Sequence, residues 1–314
     1  MATKRPAAVE AARGAPAFPI GLIALDLDGT LVDDSLLLRE RTSAAIRAAI
    51  ERGVSVSIVT GRMATSALRF ARELGIGDPI VAYQGALIRA IPERGDERLG
   101  RLLLHRPLAA AATREAIEWT RSIGLDPHVN HLEKFVIRAD DPRAEDYSAF
   151  LGGRAVVVDD LIAWVRQPVS KVIAVSEGPI DHALLDVARA RFLGRAAVTI
   201  SHPRFLEFLR PGVSKGAAVG WLARRAGVPL ANVLAIGDQF NDLEMIAAVG
   251  HGAAMPHAPL PVRAAARYLA PPLAEEGVAQ LIEQLVLAKP EVAARSSRRL
   301  LAEARVAADL AATA

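Results

Sequence analysis

"IALDLDGTLVDD", residues 23–34, opens as an apolar run and then sets Asp26 and Asp28 at its end, with Gly29 and Thr30 directly behind. A carboxylate at the buried end of a hydrophobic strand is costly unless a positive charge sits beside it. Working outward, residues 20–25 read as a buried strand and 36–52 as an amphipathic helix closed by Gly53. Residues 54–59 read as a second buried strand running into Thr60-Gly61-Arg62, 64–74 as a helix, and 80–83 as a strand. Near the other end, 214–226 and 242–249 have helical patterns, and 233–236 and 252–255 read as strands. Strands alternating with helices predict an α/β fold, a doubly wound, mostly parallel sheet covered on both faces.

Between residues 87 and 209 the pattern changes to more exposed, charged strands (99–105, 134–138, 171–176 and 205–209) and helices at 108–122 and 180–192. A piece of that length is no loop and is expected to be an inserted α+β domain. The expected division is a disordered leader at 1–19, a core at 20–86 and 210–289, the insert at 87–209, and a helical, Ala/Arg-rich appendage at 290–314 with its Arg298-Arg299 pair on a solvated face.

Composition narrows the function classes. The 314 residues are 52% apolar and include no cysteine, which removes disulfides, thiolate metal sites and a Cys nucleophile and fits a reducing cytoplasm. The formal charge of +3 lies in the two tails, so the remainder is neutral and lacks the basic stripe of a nucleic-acid binder. No window approaches 18 uncharged apolar residues, and Glu10 and Arg13 occupy the place of a signal peptide's apolar stretch. A soluble, cytoplasmic protein is expected, with no nucleic-acid or membrane partner.

Ligands of an open parallel sheet bind at the C-terminal ends of its strands. Asp26 and Asp28 follow the first strand, Thr60-Gly61 the second, and Gly237-Asp238 a later one, with Asn241 and Asp242 close behind and Lys215 at a helix start. So many carboxylates on one edge resist ionising together without a cation. An all-oxygen donor set points to a hard ion, most simply Mg²⁺. Lys215 is informative because the chain uses 33 arginines and only five lysines, as though a compact point charge were wanted there.

Asp26-Leu27-Asp28-Gly29-Thr30-Leu31, Thr60-Gly61-Arg62, Ser214-Lys215-Gly216 and Gly237-Asp238-Gln239-Phe240-Asn241-Asp242 with Met245 resemble, in order and spacing, the four motifs of the haloacid dehalogenase-like phosphohydrolases. The likeness runs over residues 20–285, and the insert with the closing 254–258 and 276–279 segments resembles the Cof-like branch with an α/β cap. It implies a Rossmann-like core and a Mg²⁺-dependent phosphatase acting on a small phosphorylated metabolite, a sugar phosphate or phosphorylated cofactor, through an aspartyl-phosphate. It further implies Asp26 as nucleophile and Asp28 as general acid and base. Asp26, the Asp28 carbonyl, Asp238 and, through water, Asp242 would be metal ligands. Thr60, Gly61, Lys215 and Asn241 would hold the phosphoryl oxygens.

Arg62 divides evenly between a phosphate contact and a structural salt bridge, and Lys171 is a candidate substrate contact or a surface charge. His128 and His131, on one strand of the insert, are read as a solvated pair, with a substrate-facing pair as the alternative. Two departures from the family pattern, Gln84-Gly85 for Asn-Gly and Pro256-His257-Ala258 for Gly-Asn-Ala, are expected to leave the four motifs untouched. The same motifs also serve a phosphotransferase or mutase. A receiver-like phosphoacceptor module is the reading from another class, disfavoured by Asp28 and the insert. Oligomeric state is not legible.

Overall fold

A computed structural model describes residues 20–93, 99–141 and 155–288; the leader and appendage expected at the two ends lie outside the described residues. In chain order the first half runs β1 (Leu22–Leu25), α1 (Glu40–Glu51), β2 (Ser55–Ile58), α2 (Ala64–Leu74), β3 (Ile80–Ala82), β4 (Leu87–Arg89), β5 (Leu102–His105), α3 (Ala110–Ser122), β6 (Asp126–His131) and β7 (Lys134–Arg138). The chain continues with β8 (Ala155–Val158), α4 (Leu161–Trp164), β9 (Lys171–Val175), α5 (His182–Arg191), β10 (Ala197–His202), β11 (Phe205–Leu209) and α6 (Lys215–Ala226). It closes with β12 (Val233–Gly237), α7 (Leu243–Ala248), β13 (His251–Ala254), α8 (Leu260–Ala265), β14 (Tyr268–Leu269) and α9 (Gly277–Ile282).

The core sheet has the order β14-β13-β12-β1-β2, all parallel. β1 is buried along its whole length, as a strand with both faces covered must be. Its Ile23 and Leu25 pack with Ile46, Phe70 and Leu281 on one face, while Leu22 and Ala24 meet Val219, Leu222 and Met245 on the other. From β1 the chain goes to β2 on one side, and later elements fill the other side from β12 outward. The loops after β1, β2 and β12 therefore leave the same edge and surround one crevice.

Helix ends follow local chemistry. Ser214 caps α6, its Oγ accepting from the Ala217 amide at 3.2 Å, and Gly227 ends that helix at φ 67° in the left-handed region that glycine tolerates. Helix α1 starts four residues later than the apolar period suggests. Leu36 adopts φ 56° and its amide closes a turn onto the Asp33 carbonyl at 2.9 Å, which uses the chain before the helix can begin.

A second sheet has the order β10-β11-β9-β6-β7-β8, antiparallel apart from the β7–β8 pair. Leu108, Ile117, Phe192 and Phe208 join its outer face to α3 and α5. Its inner face carries Phe135, Ile173 and Phe205 onto Met63, Tyr83 and Leu87, so an apolar cluster is shared with the core. The start of the insert differs from the sequence expectation: β4 and β5 pair with β3, not with the second sheet. Ile88, Leu103 and Leu104 pack in the core cluster around Val219. The half-exposed look of β5 reflects its edge position in the three-stranded sheet β3-β4-β5, which a strand of either domain can occupy.

His251 on β13 is buried, its Nδ1 3.0 Å from the Tyr268 hydroxyl. Burial, with Arg267 adding to it, pushes its pKa down to about 4. The unfolded chain binds this proton near pH 6.5, so the contribution of a neutral His251 is present above that pH and is lost as pH falls toward 4. Denaturant unfolding at pH 7 and pH 4.5 is expected to show a loss larger by about 2 kcal/mol in the parent protein than in His251→Asn. An equal loss in both would remove His251 from the acid limb.

Candidate active site

Asp26 is the first residue past β1, and its amide continues the ladder by donating to the Ile236 carbonyl at 3.0 Å. That bond fixes the carboxylate at the crevice between β1 and β12, where it is 5% exposed. Behind it lies Lys215, the first residue of α6 and fully buried, whose Nζ is 2.6 Å from Asp26 Oδ1 and 2.6 Å from Asp242 Oδ1. The other oxygen of Asp242 accepts from the Asp238 and Gln239 amides at 3.0 and 2.9 Å. One ammonium is therefore shared by two buried carboxylates. Burial, with Asp242 as the next contributor, pushes the Asp26 carboxyl well above the usual carboxylate range against the pull of Lys215, and burial raises Asp242 as well. Burial acts to lower the Lys215 pKa, but Asp242 and Asp26 outweigh it and raise it.

Asp238 completes the acidic group. Oxygens of Asp26, Asp238 and Asp242 lie within 4.8 Å of one another, and Asp238 receives the Thr30 hydroxyl at 3.2 Å. Gly29 is required here on two counts: its φ is 75°, and a Cβ would stand 2.4 Å from Asp238 Oδ2. Three buried carboxylates against one ammonium leave negative charge that a divalent cation would balance, and their oxygens suit a hard ion. Asp242 is held by the Lys215 ammonium and two backbone amides, whereas Asp238 meets only the Thr30 hydroxyl and the His257 imidazole and, with Asp26, is the better placed direct ligand.

Asp28 stands on the open side, its side chain 42% exposed, and is gripped by Arg62: Nε is 2.8 Å from Oδ2, and NH2 is 2.5 Å from Oδ1. Arg62 thus makes a salt bridge to Asp28 and also lines the cavity in front of Asp26. Thr60 is fully buried, and its hydroxyl accepts from the Arg62 amide at 3.1 Å, which leaves its proton to donate elsewhere. A cavity joins Asp26, Asp28, Gly61, Arg62, Gln84 and Asn241 of the core to Lys171, Ile173, Ser201, His202, Phe205 and Glu207 of the second sheet. Beside it opens a larger cavity of about 610 Å³ lined by Asp28, Arg39, Arg62, His202, Asp238 and His257 among others, within the range that holds a small metabolite. Thr60, Lys215 and Asp242 stand behind these linings, not on them.

Several readings change. Lys171 is no surface charge: it is 2% exposed, and Nζ donates to Glu207 Oε1 at 2.7 Å and across to the Gly61 carbonyl at 2.8 Å. Burial lowers its pKa against the pull of Glu207. His128 and His131 are not a solvated pair. Three residues apart on β6, they fall on opposite faces; His128 is buried with Nε2 2.7 Å from Asp141, and His131 is half-buried with Nε2 3.1 Å from Gln167.

Both departures from the family pattern do reach the motifs. Gln84, at φ 58°, receives the Asn241 amide at 2.9 Å and packs so closely on Gly61 that a Cβ there would lie 2.4 Å from Nε2. His257 Nε2 is 3.2 Å from Asp238 Oδ2, and that hydrogen bond raises the His257 pKa. Glu207 and Ser201 were not anticipated. A signal was present, since Glu207 interrupts the otherwise apolar run Phe-Leu-Glu-Phe-Leu of β11.

A parallel sheet with this acidic crevice and a second domain above it defines a class. Residues 23–282 match the model of the haloacid dehalogenase-like hydrolases. The protein named as phosphatase YxeH of Bacillus subtilis is 30% identical over 283 residues, 85% of this chain and 99% of that one. The HMP-PP phosphatase of Cronobacter sakazakii is 30% identical over 241 residues, 75% of this chain and 84% of that one. A haloacid dehalogenase-like hydrolase of Bacteroides thetaiotaomicron superposes with a TM-score of 0.70 at 27% identity, covering 84% of this chain and 98% of that one. The chain belongs to the haloacid dehalogenase-like hydrolase family, among relatives named as phosphatases. No helix among the described residues is long and apolar enough to cross a membrane.

Proposed function

We propose that this enzyme hydrolyses phosphate monoesters of small metabolites in the presence of Mg²⁺, with Asp26 as nucleophile. The observation that carries the reading is the Asp26 carboxylate, anchored from behind by Lys215 and facing a cavity shared with Asp28, Gly61 and Asn241. An Asp26 oxygen attacks phosphorus, and the bond to the leaving-group oxygen breaks as Asp28 gives that oxygen its proton. Asp28 then takes a proton from water, the water oxygen attacks the aspartyl-phosphate, and inorganic phosphate leaves with the Asp26 carboxylate restored. Asp28 is paired with Arg62, and to protonate the leaving oxygen it turns from Arg62 toward that oxygen.

The Gly61 amide and Asn241 stabilise charge on the phosphoryl oxygens from the cavity wall, with the Thr60 hydroxyl and the Lys215 ammonium contributing from behind it. Asp26, the Asp28 carbonyl and Asp238 would hold the ion, with Asp242 behind them; when bound, it supplies positive charge against the phosphoryl group and the clustered carboxylates. The second sheet with its helices acts as a cap that selects the leaving group. The adjoining cavity and the relatives' names support a small phosphorylated metabolite.

Phosphate release from a panel of sugar phosphates, pyridoxal phosphate and flavin mononucleotide tests the reading. Turnover is expected to vanish after chelation and to return with added Mg²⁺. Full turnover in the chelated enzyme would remove the metal from the mechanism, and no release from any substrate with Mg²⁺ would remove the function.

A further inference from the structure

Gln84 is fixed from both ends. Its Nε2 donates to Glu207 Oε2 at 3.1 Å, and its Oε1 accepts from Asn241 Nδ2 at 2.9 Å. Glu207 is 1% exposed, and its Oε1 already accepts from Lys171 at 2.7 Å and from Ser201 at 2.6 Å. A carboxylate only accepts, so the nitrogen of Gln84 must face it and the oxygen must face Asn241. Asn241 in turn has to give its nitrogen to Gln84. Its own Oδ1 is left buried, without a partner among the described residues. Each bond in this line sets the polarity of the next, from the cap strands β9 and β11 to the cavity in front of Asp26.

We propose that Gln84 is a positioning residue that transmits the docked position of the cap to Asn241, with Glu207 setting the direction of the amide. The inference rests on the proposed phosphatase reading only for what Asn241 does with the ligand. Without Glu207 beside it, the Gln84 amide has two equivalent orientations, and the reversed one makes Asn241 offer oxygen where it now offers nitrogen. With the cap docked, one orientation survives. Asn241 then keeps its second N–H for a phosphoryl oxygen. The cost of an unpaired buried polar group discriminates between these states.

The test is an exchange of polarity. In Gln84→Glu two carboxylates face each other, and in Glu207→Gln two amide nitrogens do; each variant loses the order of the line. In the double variant, the new Gln at 207 keeps an oxygen for Lys171 and Ser201 and turns its nitrogen to the new Glu at 84, whose other oxygen accepts from Asn241. The measurements are kcat and KM for nitrophenyl phosphate with Mg²⁺, and the affinity for inorganic phosphate by calorimetry. Each single variant should lose on the order of tenfold or more in kcat and in phosphate affinity, with the double variant back within about threefold of the parent.

Thermal unfolding of all four proteins excludes loss of fold as the cause. Single variants that bind and turn over as the parent does would overturn the proposal, as would a double variant no better than the worse single one. If the parent releases no phosphate yet its phosphate affinity follows the exchange, the proposed function fails and the inference about Gln84 stands.

Discussion

Asp26→Asn should leave the fold intact and reduce turnover by a factor on the order of 10⁴ or more, with no phosphorylated protein at any time. The amide keeps the shape of the carboxylate but offers no charged oxygen to phosphorus. Asp28→Asn, in contrast, retains the nucleophile and the backbone carbonyl and loses the proton carrier. Its turnover should fall by about 10²–10⁴. With nitrophenyl phosphate, whose leaving group needs little protonation, the first half should run and the second should stall. Acid quenching followed by mass spectrometry of the peptide carrying residues 22–31 reads the difference directly. Phosphate on that peptide in Asp26→Asn would overturn the nucleophile assignment. Unchanged turnover in Asp28→Asn would overturn the acid-base one.

The largest expected effect on stability belongs to Lys215. Its ammonium lies between two buried carboxylates, and removing one partner of a buried ion pair leaves uncompensated charge that costs about 3–5 kcal/mol. Metal-free Lys215→Met is expected to lose that much in urea unfolding and to lose turnover with it. Adding Asp242→Asn removes one of the stranded charges, so the double variant should be more stable than Lys215→Met alone. If the double variant is less stable than the single, the balance of charge is not what Lys215 provides. The parent protein without metal is the reference in both comparisons.

The core was legible because its signals are local. Strand-end polar residues such as Asp26, Thr60 and Asp238 reveal an edge by their position after apolar runs, and the parallel order then brings those edges together. The site beyond them was less so. Lys171 and Glu207 lie 36 residues apart on two strands, and only the pairing of β9 with β11 and the docking of that sheet place them against Gly61 and Gln84. Gln84 and His257 were visible as unusual residues, but their reach is a matter of side-chain direction. A left-handed backbone at Gln84 turns its amide toward Gly61, and no one-dimensional pattern carries that turn. The short strands β4, β8 and β14, of two to four residues, are too brief to display a period. The pairing of β4 and β5 with β3 is likewise decided by partners, not by composition.

The chain leaves the core after β5 and returns to it after β11, and the two passages are tied together. The Arg106 amide donates to the Ala86 carbonyl at 2.7 Å, and the Arg106 guanidinium reaches the Gly212 carbonyl at 3.3 Å. Outgoing and incoming strands thus meet in one small patch, with Pro107 and Pro211 stiffening either side. Such a junction makes the intervening hundred or so residues portable: two neighbouring splice points suffice to exchange them for the corresponding piece of a relative. Chimeras built there would keep every strand-end aspartate of the recipient, but the imported piece would have to bring its own partners for Gln84 and for the Gly61 carbonyl, which Glu207 and Lys171 supply here.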